Sequence, residues 1–211
     1  MRPPLMSNAR AQHLAAVQIP DASIPGTVGL ELTAQHAPLL QRFFEANPEY
    51  FLATTGEPAG PGEALDEITG EVPVGMSFTK KWVIGYADAA GDLVALVNVI
   101  TDSPAVSVFH IGTFIVATER HGSGDAQALH GAVESWAIRN GAAWLRLGVV
   151  QGNTRAERFW NSQGYLPVRP RPDIPMGRRS VTVRNMVKPL TGETLETYFG
   201  LVARDRPGTE G

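Results

Sequence analysis

The 211-residue chain contains no cysteine. That absence excludes disulfides, thiolate metal ligands and a cysteine nucleophile, and it suits a reducing compartment. Nor is there an excess of positive charge: the net charge is −3 at pH 7, which offers no bulk attraction to nucleic acid or to an anionic membrane. Long apolar runs are missing as well. The opening "MRPPLMSNARAQHLAAVQIP" has two arginines but no sustained apolar segment of signal-peptide length, and no later stretch is long enough to span a bilayer. The expectation is a cytoplasmic protein. The five histidines, at 13, 36, 110, 121 and 130, show no metal-ligand spacing such as HExxH, so no metal is expected.

What the chain does have is an alternation of strand and helix patterns. Residues 1–26, with four prolines and weak periodicity, read as a loose arm. "VGLELT" (28–33) is a short strand. "AQHAPLLQRFFEAN" (34–47) places Leu39, Leu40, Phe43 and Phe44 on one helical face and stops before Pro48. Residues 54–75, rich in glycine, proline and acid, read as a long loop with one helical turn at 62–68. "KWVIGYADAAGDLVALVNVIT" is a hairpin turning on the glycine of "DAAGD". A strand apolar on both faces follows at 106–117. Ala126, Leu129, Val133, Trp136 and Ala137 then mark a helix from about 124 to 139. A buried strand at 144–150, a helix at 153–164 ended by Gly164, and two further strands in "YLPVRPR" and "SVTVRNMVK" complete the pattern. The fold class is α/β with a mixed sheet. Residues 191–205 form a helix that packs on the domain or on a second copy.

The stretch "ATERHGSGDAQALHGAVESWA" (117–137) puts flexible backbone between a buried strand and a helix. The first N–H groups of a helix have no internal partner and carry partial positive charge, so such a junction attracts anions. Glycine there lets a phosphate approach the backbone. Taken alone, the glycines fit a tight strand–helix turn equally well. A P-loop is excluded, because Asp125 and Ala126 follow the second glycine instead of lysine and a hydroxyl residue. A dinucleotide fingerprint is excluded too, since Gln127 occupies the third glycine position.

His121, Gly122, Ser123, Gly124, Asp125 and Ala126, preceded by "VATE", resemble the signature of the GNAT-type N-acetyltransferases: Arg or Gln, two residues, Gly, any residue, then Gly or Ala. Asn153, Ala156, Phe159, Trp160, Gly164 and Tyr165 are similar to that family's second motif, one strand downstream. With "VTVRNMVKPL" resembling the last strand, the likeness covers roughly residues 28–190, which makes 27–190 the domain and 191–211 a C-terminal helix and tail. The resemblance implies a sheet whose fourth and fifth strands splay apart around acetyl-CoA as cosubstrate. It implies that the backbone of Phe114, Ile115 and Val116 pairs with the pantetheine and faces the thioester carbonyl. The loop from His121 to Ala126 would hold the pyrophosphate, with Asn153, Ala156 and Phe159 on the other side of the cofactor. It implies acetyl transfer to a primary amine of a small molecule or peptide. The acceptor site would come from the first helices and last hairpin, here 34–75 and 165–185.

Three residues depart from the family pattern. His121 replaces Arg or Gln, with little consequence where backbone amides bind the phosphate. Asp125 brings a carboxylate to a phosphate site, which fits a helix-capping role better than a catalytic one. Trp160 stands where many relatives carry a tyrosine as general acid, and an indole N–H donates without titrating. That substitution favours the competing reading of a domain that binds acyl-CoA without turnover, as a sensor or assembly module; a deeper pocket near Phe114 and Trp160 would instead fit a longer acyl chain. An alkyl amine, with a pKa of about 10.4, needs a path for its proton before attack. By unbroken strand alternation, His110 shares a face with Phe114 and Val116 and points into the cleft, although a histidine in a buried strand is more often a hydrogen-bonded core residue. Asp102 reads as a turn former, and Tyr165 as a core aromatic. The arginines of the last hairpin (Arg169, Arg171, Arg178, Arg179, Arg184) and the acids Glu57, Glu63, Asp66, Glu67 and Glu71 read first as solvated surface, and second as attractants for an anionic or a cationic acceptor.

Overall fold

A computed structural model describes residues 19–21, 23–73 and 75–208; most of the N-terminal arm, residues 1–18, lies outside the described residues. Seven strands form one sheet: β1 (Val28–Glu31), β2 (Lys81–Ala87), β3 (Leu93–Ile100), β4 (Val108–Val116), β5 (Trp144–Val150), β6 (Leu166–Met176) and β7 (Arg179–Pro189). Their spatial order is β1-β2-β3-β4-β5-β7-β6. All neighbours are antiparallel except β4 and β5, which are parallel. The helices are α1 (Ala37–Ala46), α2 (Glu49–Thr54), α3 (Glu63–Thr69), α4 (Asp125–Arg139), α5 (Thr154–Ser162) and α6 (Leu195–Leu201). The expected mixed α/β sheet is therefore what the chain forms.

Two faces of the sheet bury different helices. Leu145, Leu147 and Val149 of β5 pack with Leu129, Val133 and Trp136 of α4 and with Trp160 of α5. On the opposite face, Val83, Leu96 and Ile115 meet Leu40, Phe43 and Phe44 of α1, Phe51 of α2 and Ala64 of α3. Val108 and Trp144, on that same face, receive Tyr198 of α6 and Val202. Removing one fully buried ring such as Trp136 from water contributes about 1.5–3 kcal/mol. The alternation of these apolar residues along each strand is what divides the helices between the two faces.

Several expectations shift in detail. The helix at 37–46 ends as expected, but a further helix, α2, begins directly after Pro48, whose φ of −67° already suits a helix start. The acidic loop contains seven residues of helix, α3. Part of the arm belongs to the domain: Ile24 is buried in the α4 core, and the Pro20 carbonyl accepts from the Tyr86 hydroxyl. The C-terminal helix α6 packs on the chain's own sheet through Tyr198.

The largest departure lies in β4. Between Asn98 and Val99, β3 advances one residue while β4 passes from Thr113 to Ile111, so Gly112 is an extra, bulged residue. A bulge of one residue reverses which face each later side chain occupies. Phe109 and Ile111 consequently share the α4 face with Phe114 and Val116, whereas His110 sits on the other face. The expectation that His110 points into a cleft with Phe114 and Val116 fails for this reason.

Candidate functional site

Strands β4 and β5 pair only from Val108↔Trp144 to Ile111↔Leu147. Beyond that point β4 continues to Val116 and β5 to Val150, and the two diverge. The next residue on each strand is a glycine, Gly112 and Gly148, and both are exposed although they lie in the middle of the sheet. Ala117 sends its N–H to Val94 on β3, so alternate residues Phe114 and Val116 turn their backbone groups toward the gap.

A cleft of about 510 Å³ opens at this gap, lined from one face by α4 and α5 and from the other by the end of α1 and by α2. Of the residues expected there, Phe114, Ile115, Val116, His121, Gly122, Gly124, Ala126, Asn153, Ala156, Phe159 and Trp160 line it. Gly122 and Gly124 have φ of +85° and +93°, and an added Cβ on either would meet nothing within 4 Å. These two positions need glycine for their conformation and present open space where a side chain would stand. Phe114, Phe159 and Trp160 form the apolar wall, with Phe114 and Phe159 stacked at 5.9 Å and the Trp160 ring edge-on to Phe114 at 5.3 Å. Asn153 caps α5 by accepting from the Ala156 N–H at 3.2 Å.

Three expected site residues lie apart from the cleft lining. Ser123 shapes the loop, its hydroxyl donating to the Arg120 carbonyl (2.7 Å) and accepting from the Asp125 N–H (3.1 Å). Asp125 does not cap the helix; Gly124 holds the cap position, and the Asp125 carboxylate takes a hydrogen bond from Arg120 at 2.9 Å. That pairing neutralises the charge that made Asp125 awkward beside a phosphate site. His110, partly buried, sits at the edge of a polar network on the opposite face, where its Nδ1 accepts from Arg146 at 3.1 Å. Burial and the Arg146 charge push its pKa down to about 3, so it stays neutral and is a core histidine.

The remainder of that network is Asp205, whose carboxylate accepts from Arg146 Nε (2.7 Å) and Nη2 (3.1 Å), from Asn185 (2.9 Å) and from the Tyr198 hydroxyl (2.6 Å). Burial works to raise the Asp205 pKa, but Arg146, Tyr198 and Asn185 outweigh it and hold the carboxyl below its ordinary value. On the cleft side, His130 lies edge-on to Trp160 and meets the Tyr165 hydroxyl at 3.1 Å. Burial, then Lys188, pushes the His130 pKa down to about 4. Tyr165 is itself buried, and burial raises its pKa well above the usual value, which removes it as a proton donor.

Seven lining residues escaped the sequence reading: Asn47, Glu49, Tyr50, Ala53, Thr118, Arg120 and Arg155. Asn47 ties the end of α1 to the turn after β4, accepting from the Thr118 N–H at 2.6 Å. Tyr50 reaches the cleft from α2; burial first, then the charges of Glu67 and Glu63, raise its pKa to about 12. Arg120 and Arg155 bring positive charge to the rim, and Arg155 pairs with Glu49 at 3.2 Å. The only signal for Arg120 was its place one residue before the glycine motif. His121 uses Nε2 to donate to the Val116 carbonyl at 2.9 Å, clamping the loop to the end of β4.

The hairpin arginines have partners within the chain. Arg178 pairs with Glu57, Arg179 donates to the Leu52 carbonyl, Arg184 pairs with Glu157 and Arg169 donates to the Arg204 carbonyl. The tip of the β6–β7 hairpin thereby reaches the end of α2 and the loop that follows it. Among the described residues no group of three or more His, Asp and Glu is placed to hold a metal ion, and no helix is long and apolar enough to cross a membrane.

The model of the Acetyltransferase (GNAT) family matches residues 35–165. No curated protein matches the chain. Among solved structures, an acetyltransferase from Thermus thermophilus is 21% identical, with 79% of this chain and 99% of that one covered at a TM-score of 0.60. A spermidine N-acetyltransferase from Vibrio cholerae in complex with CoA and spermine is 17% identical, covering 79% of this chain and 96% of that one at 0.59. The ribosomal-protein-S18-alanine N-acetyltransferase of Escherichia coli is 14% identical, covering 80% and 96% at 0.57. At these identities the likeness concerns the fold.

Proposed function

The chain belongs to the GNAT acetyltransferase family, and from that premise we propose that it moves an acetyl group from acetyl-CoA directly to a primary amine of a small molecule or peptide. One observation carries the reading: the sheet opens between β4 and β5 beside the glycine-rich start of α4. The residues present fit the cosubstrate. Gly122 and Gly124 leave open space at a helix N-terminus, where backbone N–H groups and the helix dipole favour a pyrophosphate. The backbone groups of Phe114 and the Val116 N–H face the gap, where an amide-bearing arm can pair with them, while the Val116 carbonyl is taken by His121; Asn153, Ala156 and Phe159 border the other side.

When bound, acetyl-CoA supplies an electrophilic thioester carbonyl and a thiol leaving group. The chain's part is to hold and polarise. Backbone N–H groups at the open edge of β4 would hold the thioester carbonyl and stabilise the charge that develops on its oxygen. Phe114, Phe159 and Trp160 give the site an apolar wall. With no cysteine in the chain, transfer proceeds without a thioester on the enzyme. Trp160 donates a hydrogen bond but does not titrate, while Tyr50 remains protonated and neutral at the cleft. The leaving thiol, with a reference pKa of about 8.5, departs as thiolate at little cost, so an absent tyrosine at position 160 does not stop the reaction.

The test is calorimetric titration of wild type and Gly124→Glu with acetyl-CoA and CoA, followed by thiol-release assays over a panel of amines. We expect wild type to bind both ligands. Gly124→Glu is expected to lose at least tenfold in affinity, about 1.4 kcal/mol, while keeping its circular dichroism spectrum. Wild type that binds neither ligand would sink the reading.

A further inference from the structure

Two arginines line the cleft at its glycine-loop end, and each has a carboxylate partner. Arg120 pairs with Asp125 at 2.9 Å, their side chains 29% and 14% exposed. Arg155 pairs with Glu49 at 3.2 Å, their side chains 55% and 54% exposed. The first pair stays within the loop and the start of α4. The second crosses the mouth of the cleft, because Glu49 opens α2 on one wall and Arg155 lies in the first turn of α5 on the other. The same Glu49 oxygen, Oε2, stands 3.8 Å from Nδ1 of His121 in the glycine loop.

The backbone under Glu49 is held in place. Asn47, two residues earlier and 6% exposed, accepts from the Thr118 N–H at 2.6 Å and donates to the Phe43 carbonyl at 2.8 Å. Those bonds fix the start of α2 against the turn that leads into the glycine loop. Arg155 puts a positive charge in the first turn of a helix, where the dipole is positive as well, so its site favours an anion. Glu49 supplies that anion. His121 carries a proton on Nε2, since the Val116 carbonyl can only accept. A neutral His121 therefore turns an unprotonated Nδ1 toward Glu49, and the attraction across the mouth comes from Arg155.

A pyrophosphate seated at Gly122 and Gly124 brings negative charge to the same end of the cleft, where it and Glu49 repel each other and compete for one guanidinium. The magnitudes decide which ion pair yields. Exposed pairs are worth roughly two- to fivefold in an equilibrium and are screened by salt, and Arg155–Glu49 is much the more exposed of the two.

Resting on the acetyltransferase reading above, we propose that Glu49 is the cleft's own counter-anion: it holds Arg155 across the mouth while the cleft is empty and releases it to a phosphate of the cosubstrate on binding. Arg155 is then paired in both states. Glu49 is a positioning residue that acts through Arg155, and its effect is to weaken the hold on CoA and speed its departure.

The experiment measures CoA binding by calorimetry, and CoA dissociation by stopped flow, for wild type, Glu49→Gln, Arg155→Gln and the double variant. Each is measured at about 20 mM and about 500 mM salt, which bracket weak and strong screening. At low salt Glu49→Gln is expected to bind CoA about threefold more tightly than wild type and to release it more slowly. Arg155→Gln is expected to bind CoA more weakly. The gain from Glu49→Gln should shrink in the Arg155→Gln background and at high salt. Both side chains are exposed, and circular dichroism spectra should be unchanged throughout. Equal or weaker CoA binding by Glu49→Gln at low salt would overturn the counter-anion role. So would a gain undiminished at high salt, or one undiminished without Arg155, since neither could come from charge held through that residue. A wild type that binds no CoA would overturn the cleft reading and this role together, whereas the other three results overturn this role alone.

Discussion

The two sides of the sheet, meeting where β4 and β5 part, are built on opposite physical plans. The cleft side is backbone and ring: two left-handed glycines, a helix start, and Phe114, Phe159 and Trp160 around a neutral His130. The other side is charge and amide: the Arg146–Asp205 pair with Asn185, Tyr198 and His110, and nearby Glu67 with Asn98. Rings and backbone leave no charge to balance, whereas a buried charge must be partnered to be tolerated.

That comparison is broken most strongly at Asp205. Asp205→Asn keeps the shape of the side chain and leaves Arg146, 5% exposed, without a counter-charge; a loss of about 3–5 kcal/mol is expected in urea denaturation. CoA affinity of the folded protein should be unchanged, because no residue of the network lines the cleft. A CoA affinity that falls in step with stability would show that the two sides are not separate.

Acid tests the cleft side. His130 has a folded pKa of about 4 against 6.5 ordinarily, so the unfolded chain binds the proton more readily. Its contribution is fully present above pH 6.5 and is lost progressively as pH falls toward 4, amounting to about 3 kcal/mol. His110 acts with the same sign from the other face. Asp205, with its folded pKa lowered, holds its contribution until the pH drops below the ordinary carboxylate range. Urea melts at pH 7.5 and 5 should show the loss, and His130→Gln should make the slope shallower. An unchanged slope would remove His130 from the account.

The smallest effect sharpens the contrast between buried and exposed pairs. Arg178 faces Glu57 at the hairpin tip with its side chain 86% exposed. Arg178→Ala should shift stability by less than about 1 kcal/mol, and less still in high salt. A loss as large as that of Asp205→Asn would mean that the hairpin tip is a structural keystone.

Legibility in the sequence followed locality. The glycine loop, α4 and the wall from α5 were readable because their chemistry lies within short spans: His121 to Ala126, and Asn153 to Phe159. Strand β5 was readable over its full length because it is apolar and bounded by turns. His110 was misplaced because alternation was carried through Gly112, and whether a glycine is bulged depends on its pairing with β3. Glu67 read as solvated surface because its partner Asn98 is 31 residues away. The short helix α2 was hidden by Pro48, which ends one helix and begins the next.

By itself the sequence determined the class of fold, the order of the strands and longer helices, the glycine-rich turn before α4 and the absence of a cysteine nucleophile, since periodicity, turn residues and composition act over a few residues at a time. Only the tertiary structure decided which face His110 occupies, that Arg120 neutralises Asp125, that Asp205 anchors the C-terminal segment to β5 and β7, and that Glu67 meets Asn98 beside the open glycines. Each of these is a contact between distant segments whose energy depends on burial and register, and neither quantity exists until the sheet has formed.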